Sequence, residues 1–125
     1  MENNKKHYTE LDVWKECRTL VKEVYLITQN FPKEEQYNLI SQIQRCVVSV
    51  PSNIAEGCGR NSHRDSLHFF YIARGSLYEL ETQLLLSFDL AYLYKEKLND
   101  ILAFIEKCKK LLNGFIRYYK QFISE

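Results

Sequence analysis

The sequence predicts an all-α protein, a single antiparallel up-down-up-down bundle of four helices. Three observations carry that prediction. Apolar residues recur at alternating spacings of three and four along four long stretches. The connections between the stretches are short, which sets neighbouring helices antiparallel. No stretch alternates as a strand does, and only 4 Gly and 2 Pro leave little material for the turns of a many-stranded sheet. At 125 residues the chain is one domain, spanning 1–125, with residues 1–8 expected to fray. Its 46% apolar and 26% charged residues are those of a globular protein rather than a disordered one.

The first helix is expected from about Glu10 to Thr28, with Val13, Cys17, Leu20, Val24 and Ile27 as its core line. Pro32 ends it by pushing Phe31 out of the α region. The second is expected from about Glu34 to Glu56, because Pro32 suits a helix entry and Glu34 and Glu35 complement the positive end of the dipole. Its core line is Ile40, Ile43, Val47, Val50 and Ile54. Within "VVSVPSNIAEGCGR", Val47 to Arg60, Pro51 removes the bond to Val47 and should kink or split the helix, with Ser52 and Asn53 able to satisfy freed backbone groups. Gly57 reads as the left-handed residue that stops it.

The third helix begins after Ser62, where Ser62-His63-Arg64-Asp65 resembles a capping box, and should reach about Tyr92. Its core line is Phe70, Ala73, Leu77, Leu80, Leu84 and Ala91. The fourth follows a polar break at Lys95-Glu96-Lys97 and carries Leu98, Ile101, Ile105, Cys108, Leu112, Phe115, Tyr119 and Phe122.

Outside its core line the third helix also bears Phe69, Tyr71, Ile72, Tyr78, Leu85 and Leu86, so apolar side chains nearly encircle it. A helix apolar on most sides is buried on most sides. One bundle leaves a flank of it in water, so these six residues form a candidate interface for self-association.

The candidate chemistry is sparse. No Glu has His three positions later and no Cys-x-x-Cys occurs, so neither a di-iron nor a zinc site is expected, and no cofactor. Cys17, Cys46 and Cys108 sit on apolar stripes, which suits buried thiols in a reducing cytoplasm. Cys58 is expected to be an ordinary loop cysteine, although Arg60 and His63 nearby make it the one thiol with neighbours suited to activating it. Gly57-Cys58-Gly59-Arg60 follows a helix and has two glycines, unlike a phosphate cradle, although Arg60 and Arg64 flank a helix N-terminus. No apolar run approaches the ~20 residues of a membrane span, and no apolar segment follows the N-terminal Met1-Glu-Asn-Asn-Lys-Lys-His7 as in a secretory signal.

Gln42, Arg45, Ser49, Asn53, Glu56 and Arg60 form a polar stripe on the second helix that Ser76, Glu79 and Gln83 of the third are placed to answer. An enzyme would need Asn53, Glu56 and Glu79 to converge in a pocket. A net charge of +1 gives nucleic acid no general attraction, so a contact with RNA would need a local patch. In an up-down bundle Lys5, Lys6, Arg60, His63, Arg64, Arg117 and Lys120 gather at one end. Lys107, Lys110 and Arg117 line the fourth helix, and Glu2, Glu10, Glu56, Asp65 and Glu125 oppose them. Arg60, Arg64, Lys107, Lys110 and Arg117 are the candidate RNA contacts.

At "SVPSNIAEGCGR" (Ser49 to Arg60) and "FFYIARGSLYELETQL" (Phe69 to Leu84) the chain resembles the 23S rRNA intervening-sequence proteins. The upstream "LDVWKECRTLVKEVYLITQNFPKEEQYNLISQIQRCVVSV" extends the resemblance over nearly the whole chain. It implies a four-helix bundle assembling as a homopentamer, with no established enzyme activity. The family is similar to the accessory proteins of diversity-generating retroelements, basic pentameric bundles that bind nucleic acid and a reverse transcriptase. The expected partners are therefore further copies of the chain and either RNA or a nucleic-acid-bound protein. The other reading is a protein scaffold without nucleic acid.

Overall fold

The computed structural model describes residues 6–123. They form four helices and no strand: α1 (Asp12–Thr28), α2 (Leu39–Cys58), α3 (His63–Asp89) and α4 (Lys95–Lys120). Residues 1–5, and with them Glu2 and Lys5, lie outside the described residues, as does Glu125. Tyr8–Glu10 form a 3-10 turn, which His7 caps through Nδ1.

α1 starts later than its stripe suggested because Leu11 is extended after that turn. It ends at Thr28, as expected. Thr28 rather than Ile27 completes the buried line, and its hydroxyl donates to the Tyr25 carbonyl at 3.1 Å and accepts from Gln44 at 3.1 Å.

The expected start of α2 is one turn out. Lys33–Glu35 form a separate 3-10 turn, and the unusual backbone of Asn38 (φ −119°, ψ −103°) divides it from Leu39. The charge argument survives in shifted register, since the Glu35 carboxylate accepts from the Leu39 N–H at 3.3 Å. α2 then runs unbroken through Pro51, so the predicted split does not occur. Asn53 does satisfy backbone, but at the Ser49 carbonyl (2.8 Å) rather than at Val47.

Gly57 is not the helix stop. It lies buried inside α2 with a right-handed backbone, and Gly59 caps the helix at φ −90°, ψ 1°. A Cβ on Gly57 would stand 2.5 Å from the Phe70 ring and 2.9 Å from the Ser66 carbonyl. The glycine is there because α2 and α3 approach each other closely at that point.

The left-handed stop belongs to Ala91, at φ 65°. Its N–H bonds the Phe88 carbonyl and the Tyr92 N–H bonds the Ser87 carbonyl, both at 2.9 Å, which is the two-bond pattern of a Schellman cap. α3 therefore ends at Asp89, and Ala91 is exposed instead of lying on the core line. At the start of α3 Ser62 Oγ accepts from the Asp65 N–H at 3.1 Å, as the capping pattern predicts. α4 begins at Lys95, so the polar break is its first turn. Its buried line closes with Ile116 and Tyr119, leaving Phe115 half-buried and Phe122 48% exposed.

α1 packs on α2 and α4, and α3 packs on the same two. The core centres on Leu20, Ile43, Ile54, Phe70, Leu77, Leu80, Leu84, Ile105 and Leu112. At one end Tyr92 donates to Glu35 at 2.8 Å and packs on Phe31, joining two connections. At the other, His63 meets Tyr119 and Phe122.

Candidate interaction surfaces

The polar stripe becomes a real seam only in part. Ser49 and Ser76 hydroxyls lie 2.5 Å apart across α2 and α3, and Cys46 Sγ donates to the Ser76 carbonyl at 3.1 Å. Burial and the neighbouring Glu79 push the Cys46 thiol up to about 12. Gln83 donates to Glu79 at 3.4 Å, while its Oε1 is buried with no partner among the described residues. Arg45 stays on the outer, solvent-exposed side, and Glu56 turns to Arg60 instead (3.5 Å). Asn53, Glu56 and Glu79 therefore turn to three different partners, and none of them lines the α1–α4 groove at Leu26 and Phe104 or the α1–α2 groove at Trp14 and Pro51. Cys46 was missed as a seam member because it also lies on the apolar line.

The five candidate cations separate into two groups. Arg60 is held by Glu56 and by Asp65 (3.3 Å) and lies over the Phe69 ring at 4.5 Å. Lys107 pairs with Glu16 at 3.4 Å. Arg64, Lys110 and Arg117 are exposed, with no carboxylate of the described residues within 4.0 Å.

Lys109, between two of the candidates, is buried. Its ammonium bonds Glu81 at 2.8 Å and covers the Tyr78 ring at 4.0 Å. Removing one member of such a pair leaves the other short of a partner, whereas replacing both by apolar side chains need not destabilise. Glu81→Ala should cost about 2 kcal/mol, below the usual loss for a buried pair because Glu81 is partly exposed and Glu106 stays 3.8 Å from the ammonium, while Glu81→Leu with Lys109→Met should stay within about 1 kcal/mol of wild type. Urea unfolding decides this. Equal losses in both variants would mean that the pair itself stabilises the fold.

Of the six apolar candidates on α3, Phe69 is half-buried beneath Arg60, and the other five are 39–52% exposed. Tyr71, Tyr78 and Leu85 repeat every seven residues, as do Ile72 and Leu86 with Glu79 between them. The two rows lie about 100° apart on the helix, with Gly75 and Thr82 on the strip between them. A Cβ on Gly75 would meet nothing within 4 Å. Gly75 thus leaves an open channel between two rows that are apolar except at Glu79, with the Tyr71 and Tyr78 rings lying under Arg74 and Lys109.

Cys17, Cys46 and Cys108 are buried in the bundle and Cys58 is half-buried. Cys17 and Cys108 are fully buried and face each other, and their mutual hydrogen bond and burial raise Cys17 far above the ordinary thiol range. Cys58 is not a loop residue. It ends α2 half-buried, in contact with Tyr119, whose hydroxyl is pushed up to about 12 by burial and then by that thiol. The described residues hold no group of three or more His, Cys, Asp or Glu able to bind a metal, and no helix among them is long and apolar enough to cross a membrane.

Residues 9–114 match the family described as 23S rRNA-intervening sequence protein. The chain belongs to that family. A crystal structure from Bacteroides thetaiotaomicron VPI-5482, described as a protein with unknown function from the S23 ribosomal protein family, is similar to it at a TM-score of 0.74 and 23% identity. The similarity covers 83% of this intervening-sequence protein and 97% of the other chain, and shows a shared fold. No curated protein matches. The family match takes in the seam and all of α3 and stops at Gly114, before Arg117 and the aromatic end of α4.

Proposed function

We propose that this protein is a non-enzymatic, cytoplasmic helical scaffold that assembles as a homo-oligomer, a pentamer, through the outer face of α3. The exposed apolar rows of α3 carry the reading. Soluble monomers seldom leave such a contiguous strip in water, and an open glycine between large side chains accepts an approaching helix. The bundle unit is up-down-up-down. Reversed pairings support this: Ser49 with Ser76 and Gly57 with Phe70 across α2 and α3, then Glu81 with Lys109 and Arg74 with Asn113 across α3 and α4.

The assembly binds RNA or a ribonucleoprotein through Arg64, Lys110 and Arg117, with Arg60 and Lys107 as secondary contributors because each already has a carboxylate partner. A ring multiplies whatever local excess one subunit has, which suits a long polyanion better than a net charge of +1 suggests. A protein scaffold that binds no nucleic acid is the second reading, favoured by those same ion pairs.

Native mass tests the assembly: the expected species is about five times the 14.9 kDa chain, and a monomer throughout the micromolar range overturns it. RNA affinity should fall steeply with salt, and reversing Arg64, Lys110 and Arg117 together should abolish it. An assembled protein that ignores RNA at low salt leaves the scaffold reading.

A further inference from the structure

The RNA reading treats the cationic end as a patch of charge, but that end also carries exposed rings. His63 stacks on Phe122 with centroids 4.8 Å apart and planes at 23°, and Tyr118 stands edge-on to Phe122 at 5.1 Å. Tyr118 is 53% exposed and Phe122 48%, and His63 is exposed too. Beneath them the rings are locked. Tyr119 is buried against His63 at 5.2 Å and edge-on to Phe70 at 4.8 Å, and Phe115 closes the cluster at 4.9 Å from Tyr119. Each exposed ring has a cation beside it in the chain: His63 has Arg64, Tyr118 has Arg117, and Phe122 has Lys120 two residues before it.

We propose that this end is a stacking platform for unpaired bases, and that the RNA bound there is single-stranded. The inference rests on the RNA-binding reading above and narrows it to a substrate class. Charge alone attracts duplex and single strand alike, because both present phosphates. Exposed rings discriminate, since only an unpaired base can lay its face on an aromatic side chain while its phosphate reaches a cation at the same end of the bundle. A pre-locked base also limits the ordering cost, because the buried rings fix where the outer ones sit. Tyr118 and Phe122 lie beyond residues 9–114, so two of the three exposed rings sit outside the segment that matches the family and His63 sits within it.

The test compares an oligouridylate of about 12 nucleotides with an A·U duplex of equal length, by fluorescence anisotropy at low salt. Wild type should prefer the single strand. Tyr118→Ala with Phe122→Ala should weaken single-strand binding about tenfold or more and leave duplex binding unchanged. The aromatic swaps Tyr118→Phe and Phe122→Tyr should retain the affinity, and circular dichroism should match wild type because both side chains are half in solvent. Equal affinity for both RNAs, or an alanine pair without effect, overturns the platform while the charge-based reading stands. Failure to bind either RNA overturns both.

Discussion

Gly57→Ala is expected to destabilise the fold by about 3 kcal/mol, the upper part of the range for overpacking a tight core. The new methyl group would meet the Phe70 ring at 2.5 and 2.9 Å and the Ser66 carbonyl at 2.9 Å. Neither neighbour can give way cheaply. Ser66 presents backbone, and Phe70 is fully buried and hemmed in by Phe115 at 5.0 Å and Tyr119 at 4.8 Å. For a domain of this size such a loss lowers the melting temperature by roughly 10–15 °C. Gly114→Ala is the control. Its Cβ would touch only the tip of Arg117, at 3.7 Å, so the gain in helix propensity should stabilise by up to about 1 kcal/mol. Phe70→Leu introduced into Gly57→Ala should recover part of the loss by vacating the contact. Equal behaviour of the two alanine variants would mean that helix propensity, not the approach of α2 to α3, governs position 57.

Gly57 also shows where sequence reasoning gives out. A glycine shortly after an apolar stripe has the same local signature whether it reverses the chain or admits a neighbouring helix. Only the partner distinguishes these, and Ser66 and Phe70 lie nine and thirteen residues away on another element. Ala91 is the mirror case: an alanine reads as helix, so the left-handed turn it adopts to end α3 had no local signal. The α1 stripe, by contrast, was legible because burial repeats at the helical period. Val13, Cys17, Leu20 and Val24 are all in the core. The buried Lys109 left a signal that its charge disguised. It lies four residues after Ile105 and three before Leu112, as Glu81 lies four after Leu77 and three before Leu84. Those spacings put both at the edge of the core lines, where a paired charge can be enclosed. The polar seam was half legible for a related reason. Residues 46 and 49 of α2 reach α3, Asn53 turns back to its own helix, and Arg45 lies about 100° round the helix from Cys46 and falls outside that contact.

If the proposed assembly forms through α3, Ile72→Glu combined with Leu86→Glu should convert it into a folded species of 14.9 kDa. In the isolated bundle these side chains are 40% and 49% exposed, and surface changes of that kind usually cost within about 0.5 kcal/mol. Buried in a subunit contact without a cation, each carboxylate would instead cost several kcal/mol. Glu79 already stands between them on the same row, so two more carboxylates create a line of like charge along the helix. Each single variant should weaken association about a hundredfold, and the pair should abolish it at micromolar concentration. Analytical ultracentrifugation reads the mass, and thermal unfolding checks that the monomer keeps its fold. Leu26→Glu on α1 is the discriminating control, because Leu26 is 46% exposed but lines a groove formed by α1, α4 and the α3–α4 connection, with no residue of α3 itself. If Leu26→Glu dissociates the protein and the α3 pair does not, the contact surface lies at that groove. Gly75→Ala separates folding from assembly on the same face. Its Cβ would enter open space in one subunit, so helix propensity favours the alanine in the monomer, whereas a helix seated in the channel would meet the added methyl group. A variant that unfolds at higher temperature yet associates more weakly is the result that an α3-to-helix contact requires.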